Sequence, residues 1–254
     1  MSIQNAASIY FSPGGSTGLC ARTVAEALGA AAEYDFTTAP QPLEFSEGDA
    51  VVFAAPVFGG RIPAVFAKFL GSVSGNGAAA VVLAVYGNRD YDDALLELAD
   101  AVKERGFRVA AAGAFIARHS MVPEIAAGRP DAADLKAMAD FGAAVREKLE
   151  RGDFSEPAIP GNRPYKKYGG VPMHPGANRA RCVKCGKCAR ECPVGAIPAD
   201  APYKTDSDKC ITCMHCVFTC PNYARGLNAV VLAATRTMLK KACAERREPE
   251  VFLN

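Results

Sequence analysis

The sequence predicts an α/β protein in which a doubly wound parallel sheet, covered by helices on both faces, is followed by a small second domain organised by cysteines. Two observations predict it. Between residues 6 and 150, short and near-continuous apolar runs alternate with stretches of helical periodicity, the pattern of strands whose two faces are both buried by crossover helices. Beyond that region, eight of the ten cysteines fall in two identically spaced sets between Cys182 and Cys220.

The first strand is expected over residues 6–11, Ala-Ala-Ser-Ile-Tyr-Phe, and a helix over Leu19 to Leu28, where Leu19, Val24, Ala27 and Leu28 recur at helical spacing. Residues 50–55 and 78–85 read as two further buried strands. Helices from about Ala64 to Gly71 and Asp92 to Arg105 follow them, then a strand over Phe107 to Ile116. Asp131 to Glu150 closes the unit as an amphipathic helix with Leu135, Met138, Phe141, Val145 and Leu149 on one side. Ligands of such sheets sit beyond the carboxyl ends of the strands. Three loops emerge there: Ser12–Gly18, Val57–Arg61 and Tyr86–Tyr91.

The first of these, Ser12-Pro13-Gly14-Gly15-Ser16-Thr17-Gly18, lies between a strand and a helix, where backbone N–H groups and the helix dipole attract an anion. It has neither the lysine of a nucleotide-triphosphate loop nor Gly-x-Gly-x-x-Gly spacing, so a single phosphate monoester suits it best. With these three loops in this order, residues 1–151 resemble a flavodoxin domain. The resemblance implies FMN, its phosphate held by Ser12, Gly14, Gly15, Ser16, Thr17 and Gly18. The ring would lie between Val57, Phe58, Gly59 and Gly60 on one side and Tyr86, Gly87, Asn88, Arg89, Asp90 and Tyr91 on the other. Flavodoxins commonly carry threonine where this chain has Gly14, and many stack a tryptophan on the ring. This chain has no tryptophan, so Phe58 or a tyrosine would take that place.

The cysteines read Cys182-x-x-Cys185-x-x-Cys188-x-x-x-Cys192-Pro193 and Cys210-x-x-Cys213-x-x-Cys216-x-x-x-Cys220-Pro221. Three closely spaced thiolates grip one iron-sulfur cubane while the fourth reaches the other, as in two-cluster bacterial ferredoxins. Cys182, Cys185, Cys188 and Cys220 are therefore expected to hold one 4Fe-4S cluster, and Cys210, Cys213, Cys216 and Cys192 the second. A zinc ribbon would need only four such ligands, and a disulfide framework belongs to oxidising compartments. The opening, Met1 to Ala7, is short and polar, which predicts no export signal.

Residues 152–178 are rich in proline, glycine, tyrosine and lysine and read as a linker that packs between domains. The ferredoxin unit is expected over 179–227 and a C-terminal segment, helical over 228–248, completes 228–254. A flavodoxin domain joined through such a linker to a small α+β two-cluster ferredoxin resembles the flavodoxin-ferredoxin fusion proteins of anaerobic bacteria. That resemblance implies electron transfer between FMN and two 4Fe-4S clusters, with redox proteins as partners. A flavin-dependent reductase fed by the clusters and a redox-sensing, partner-binding protein are the alternatives, and no catalytic dyad is legible. Residues 1–151 carry 13 Lys and Arg against 18 Asp and Glu, the remainder 16 against 9. Cluster thiolates would offset part of that basic excess, so nucleic acid is not an expected partner. No apolar run approaches the roughly 20 residues a bilayer requires, so a cytoplasmic protein without membrane contact is expected. Cys20 and Cys243 lie outside the cysteine sets and read as structural thiols. His119, after the last strand, lies where it could reach the flavin edge.

Overall fold

The apolar runs pair into one sheet in the computed structural model, which describes residues 3–253. Met1 and Ser2 of the polar opening, and Asn254 at the end of the expected C-terminal segment, lie outside the described residues. Strand β1 (Asn5–Tyr10) leads through residues 11–15 into α1 (Ser16–Ala27). Next come β2 (Ala32–Asp35), the two-residue β3 (Leu43–Glu44), β4 (Asp49–Pro56), α2 (Ala64–Leu70) and β5 (Val73–Ser74), which pairs with β3. Then β6 (Ala79–Tyr86), α3 (Ala94–Lys103), β7 (Arg108–Ile116) and α4 (Ala132–Glu150) complete the first unit.

Strands β2, β1, β4, β6 and β7 lie side by side in that order, all parallel. The chain leaves β1 toward one edge and returns on its other side at β4, and at this reversal the loops after β1 and β4 splay apart into a crevice. Successive strand residues face opposite ways. Ile9 and Phe53 join Phe66, Leu95 and Leu98 beneath α2 and α3, whereas Tyr10, Val52 and Phe115 join Cys20, Val24, Met138 and Phe141 beneath α1 and α4. Each fully buried phenylalanine contributes about 2–3 kcal/mol. Burial pushes the Cys20 thiol up to about 12, consistent with a packing residue. Helices α1 and α4 approach so closely at Gly142 that an added Cβ would lie 2.6 Å from the Val24 carbonyl oxygen. At the start of α4, Asp131 accepts from the backbone N–H groups of Ala133 and Asp134, and Asp134 returns a bond to the Asp131 N–H, a reciprocal cap.

Residues 153–175 form neither helix nor strand. They run along α3, where Arg163 pairs with Asp100 at 2.7 Å and the Asp93 carboxylate accepts from Asn162 N and Lys166 N at 2.8 and 2.6 Å. Two-residue strands β8 (Gly176–Ala177) and β9 (Arg225–Gly226) pair antiparallel and enclose two single-turn helices, α5 (Lys187–Arg190) and α6 (His215–Phe218).

The chain's end departs from the expected helix over 228–248. Helix α7 (Ala229–Ala242) stops early, and β10 (Glu250–Phe252) adds antiparallel to β7 at the edge of the main sheet. A tertiary contact stops the helix: the Asn88 amide donates to the carbonyls of Cys243 and Glu245 and accepts from Arg247 N, at 2.8–3.0 Å. Two more side chains fix the returning strand. Tyr91 donates to Glu250 at 2.9 Å. The buried Lys148 ammonium donates to the carbonyls of Ala110, Ser155 and Leu253, which ties β7, the chain after α4 and the C-terminal strand together. Lys148→Met should leave these carbonyls short of a donor and destabilise the protein by about 2 kcal/mol. Urea unfolding would show the loss, and amide exchange should rise at residues 250–253 before it rises in β4; unchanged exchange there would count against the clamp.

Candidate redox site

The two cysteine sets repeat with an offset of 28 residues, and the backbone repeats with them. Lys184 and Thr212 take left-handed angles (φ 55° and 52°), as do Gly186 and Met214 (φ 73° and 65°). These turns wind each run tightly before a single helical turn that carries the third cysteine. The fourth cysteine of each run accepts from the N–H four residues on: Cys192 from Ala196 and Cys220 from Ala224, both at 3.3 Å. At Met214 a side chain adopts what its counterpart Gly186 reaches freely, at a cost of roughly 1–2 kcal/mol.

The thiols gather in two rings. Cys182, Cys185, Cys188 and Cys220 line one cavity, and Cys192, Cys210, Cys213 and Cys216 line another, so the fourth cysteine of each run crosses to the other's ring. Among the described residues no three His, Cys, Asp or Glu side chains close on a single-ion site. The thiols stand around a volume instead, which suits a polynuclear group in which each thiolate binds its own metal atom. Burial pushes Cys213 up to about 12 and Cys216 to about 11. It also raises Cys188 and Cys210, with repulsion from neighbouring thiols adding to the shift. Cys220 goes the other way: burial opposes its thiolate, but the N–H groups of Ala224, Asn222 and Arg225 outweigh burial. A cationic metal core would relieve the mutual repulsion of four crowded thiolates, because coordination deprotonates thiols outright. The rings fit such a group.

At the carboxyl edge of the sheet, two adjoining cavities share Val57, Phe58, Tyr86, Gly87, His119 and Ser120 in their walls. The smaller is lined by Gly14, Ser16 and Thr17 at the α1 N-terminus and by the exposed Arg118. Ser12, Gly15 and Gly18 of the same loop shape it from behind: Ser12 Oγ accepts from Gly18 N at 2.8 Å, Ser12 N donates to Thr37 Oγ1 at 2.7 Å, and Gly15 takes φ 86°. The larger cavity, about 470 Å³, is lined by Gly59, Gly60, Arg89 and Asp90 among the expected loop residues. Asn88 and Tyr91 do not line it, being engaged with the C-terminal segment. Tyr86 does, with Tyr91 edge-on behind it at 5.6 Å. Tyr168 of the 153–175 segment packs its ring against Gly59, which has no side chain to obstruct it (φ 61°).

Sequence reasoning did not anticipate what closes these cavities. Cys213 forms part of the smaller cavity's wall, and Ile211 and Thr212 part of the larger's, so one cysteine run abuts the sheet edge directly. Phe218 packs on Gly14, where an added Cβ would come within 3.1 Å of its ring, and His215 Nδ1–H donates to the Pro13 carbonyl at 3.0 Å. Thr212 donates to the Met173 carbonyl at 2.7 Å, and Thr235, Met238 and Leu239 of α7 complete the larger wall. The contacts of Phe218 and His215 join segments about 200 residues apart, and no local pattern encodes them. Arg118 alone carried a signal, as the first cation after β7.

His119 sits in both walls with its ring against Gly87, and its Nδ1 accepts from Met121 N and Val122 N at 3.3 Å each. The neutral ring therefore carries its proton on Nε2. Burial lowers its pKa from the ordinary 6.5, so the unfolded chain binds a proton that the folded chain refuses. Stability should be unaffected above pH 6.5 and fall as pH drops below it toward the folded value. His119→Gln should flatten this loss below pH 6.5 in chemical-denaturation curves; an unaltered slope would mean that other groups carry it.

Residues 8–93 match the flavodoxin domain family and residues 174–221 the 4Fe-4S dicluster domain family. Among curated proteins, YccM of Escherichia coli (strain K12), named as an electron transport protein, is 43% identical over 44 residues, which are 17% of this chain and 12% of YccM. Solved structures similar to this chain include a flavodoxin from the domain Archaea (16% identity, TM-score 0.41, covering 58% of this chain and 99% of that one). Another is the rubredoxin oxygen:oxidoreductase of Desulfovibrio gigas (16% identity, TM-score 0.40, 59% and 37%). Among the described residues no helix is long and apolar enough to cross a membrane. The chain thus joins an N-terminal flavodoxin domain, built on a parallel sheet, to a C-terminal 4Fe-4S dicluster domain.

Proposed function

We propose that the chain is an electron-transfer flavoprotein that exchanges single electrons between FMN and two 4Fe-4S clusters. The observation that carries this reading is the position of Cys213, which belongs to the second thiol ring and to the wall of the smaller sheet-edge cavity at once. FMN would supply chemistry in one- or two-electron steps, and the clusters single-electron chemistry. The chain's part is placement. Gly14, Ser16, Thr17 and Arg118 would hold the phosphate, aided by the positive end of α1. Phe58, Tyr86 and Tyr168 would enclose the ring, and His119 Nε2–H would supply a hydrogen-bond donor at its edge. Cys182, Cys185, Cys188 and Cys220 would bind one cluster, and Cys192, Cys210, Cys213 and Cys216 the one beside the flavin.

Anaerobically purified protein should carry about eight irons, eight labile sulfides and one FMN. Cys213→Ala should slow or abolish reduction of the flavin by a donor that reduces the clusters. Flavin reduction indifferent to that change would leave two modules that share a chain but no path. At the phosphate, Arg118→Ala or the pair Ser16→Ala and Thr17→Ala should weaken FMN about 10- to 100-fold, the scale of one charge-assisted bond, with iron content unchanged. Equal flavin affinity in all of these variants would place the phosphate elsewhere.

The size of the larger cavity favours a second reading, a flavin-dependent reductase of a small molecule. At about 470 Å³ it falls in the range of ligand pockets, and Met121, Met173, Met238 and Leu239 give it an apolar wall beyond the flavin loops. An enzyme would turn over one class of acceptor with saturation, and changes at Phe58, Tyr86 or His119 would alter that turnover. A carrier would show no saturable preference among small acceptors.

A further inference from the structure

The two thiol rings share one spacing but have opposite surroundings. The ring of Cys192, Cys210, Cys213 and Cys216 is enclosed by Pro175, Val194, Ile197 and Ile211 and backs onto the flavodoxin domain. The ring of Cys182, Cys185, Cys188 and Cys220 faces outward: Cys185 is exposed, and Val183 and Lys184 line its cavity. Around it the surface combines two features. Val183 and Tyr223 are large side chains left 67% and 80% exposed. Residues 179–190 carry five cations, Arg179, Arg181, Lys184, Lys187 and Arg190, and no acid. Among the described residues, only Lys187 of these five pairs with a carboxylate, Glu191, at a loose 3.9 Å.

We propose that this face docks a small acidic electron-carrier protein, which exchanges electrons with the group held by Cys182, Cys185, Cys188 and Cys220. An apolar centre inside a charged rim is the anatomy of a protein-protein contact, and the exposed Val183 and Tyr223 supply that centre. Charge selects the partner. The flavodoxin region, residues 1–151, has a net charge of −5, so it repels an acidic carrier and steers it toward the basic end of the molecule. The step is the transfer of one electron, the carrier oxidised by one and the ringed group reduced by one, with no bond made or broken and no proton moved. The proposal rests on the cluster reading given above, and adds to it where electrons cross the molecular surface and what kind of protein brings them.

The test uses the full-length, cluster-loaded protein and a pre-reduced acidic two-cluster ferredoxin as the probe, with transfer followed by stopped flow across a range of salt. The variant Arg181→Glu/Lys184→Glu removes most of the positive charge of the face without touching a cysteine. Lys240→Glu/Lys241→Glu, on the exposed side of α7, makes the same change of net charge elsewhere. The face variant should lose about tenfold or more in second-order rate at low salt and approach the unaltered protein as salt screens the charges. The α7 variant should stay within about twofold. Photoreduction by uncharged deazariboflavin should load electrons equally into all three proteins. Equal loss in both variants would reduce the effect to net charge and overturn the proposal, as would no loss in the face variant. Overturning it too would be duplex DNA or anionic vesicles binding through this face while carrier rates stay unchanged. Protein that binds no iron, or whose clusters deazariboflavin cannot reduce, would sink the cluster reading itself; intact, reducible clusters with unchanged carrier rates would sink this proposal alone.

Discussion

The arrangement of this molecule depends on the chain's return to the edge of its first sheet. Strand β10 pairs with β7 after the cysteine-rich unit is complete, so that unit is held at both ends: by the 153–175 segment along α3 and by α7 and β10 on the other side. Asn88, Tyr91 and Lys148 direct their polar groups to this return. Without it, α7 would be held by the small cluster of Leu239 and Cys243 with Val122 and Ile125 and by the Arg236–Glu124 ion pair. The walls that Thr235 and Leu239 contribute to the larger cavity would then lose their support.

Two modules of this kind could be joined by a flexible tether, but here the contact is specific. Phe218 occupies the space left by the absent side chain at Gly14, and His215 donates to the neighbouring Pro13 carbonyl. The departure from the threonine of flavodoxins therefore has a steric reason visible in this chain: a side chain at position 14 would crowd the Phe218 ring of the cysteine-rich unit. Tyr168 does the same at Gly59. Glycines on the sheet-edge loops thus serve as seats for aromatic rings from elsewhere in the chain.

What was legible in the sequence follows from how local each signal is. The strands β1, β4, β6 and β7 announce themselves because both faces are buried and nearly every interior residue is apolar. β2 escaped because Ala32-Glu33-Tyr34-Asp35 is a half-exposed edge strand with no apolar run, and β10 because three residues carry no period. The crossing of Cys192 and Cys220 between rings was expected from the resemblance of the two runs to those of two-cluster ferredoxins. Asn88 and Tyr91 lay in the expected loop, yet their side chains answer to a segment some 155 residues away. Pattern places a residue on a loop, but only packing determines which way it faces.

A consequence follows from the double anchoring of the cysteine-rich unit. Separate flavin and iron-sulfur carriers must find each other by diffusion, and their exchange slows with dilution and with screening salt. Here the inner thiol ring is lodged against the sheet edge, so on the proposed reading exchange between them would be unimolecular and indifferent to dilution. Only the outward ring would then depend on encounter. The proposed relay would divide into an internal leg fixed by geometry and an external leg that responds to the abundance of whatever meets it.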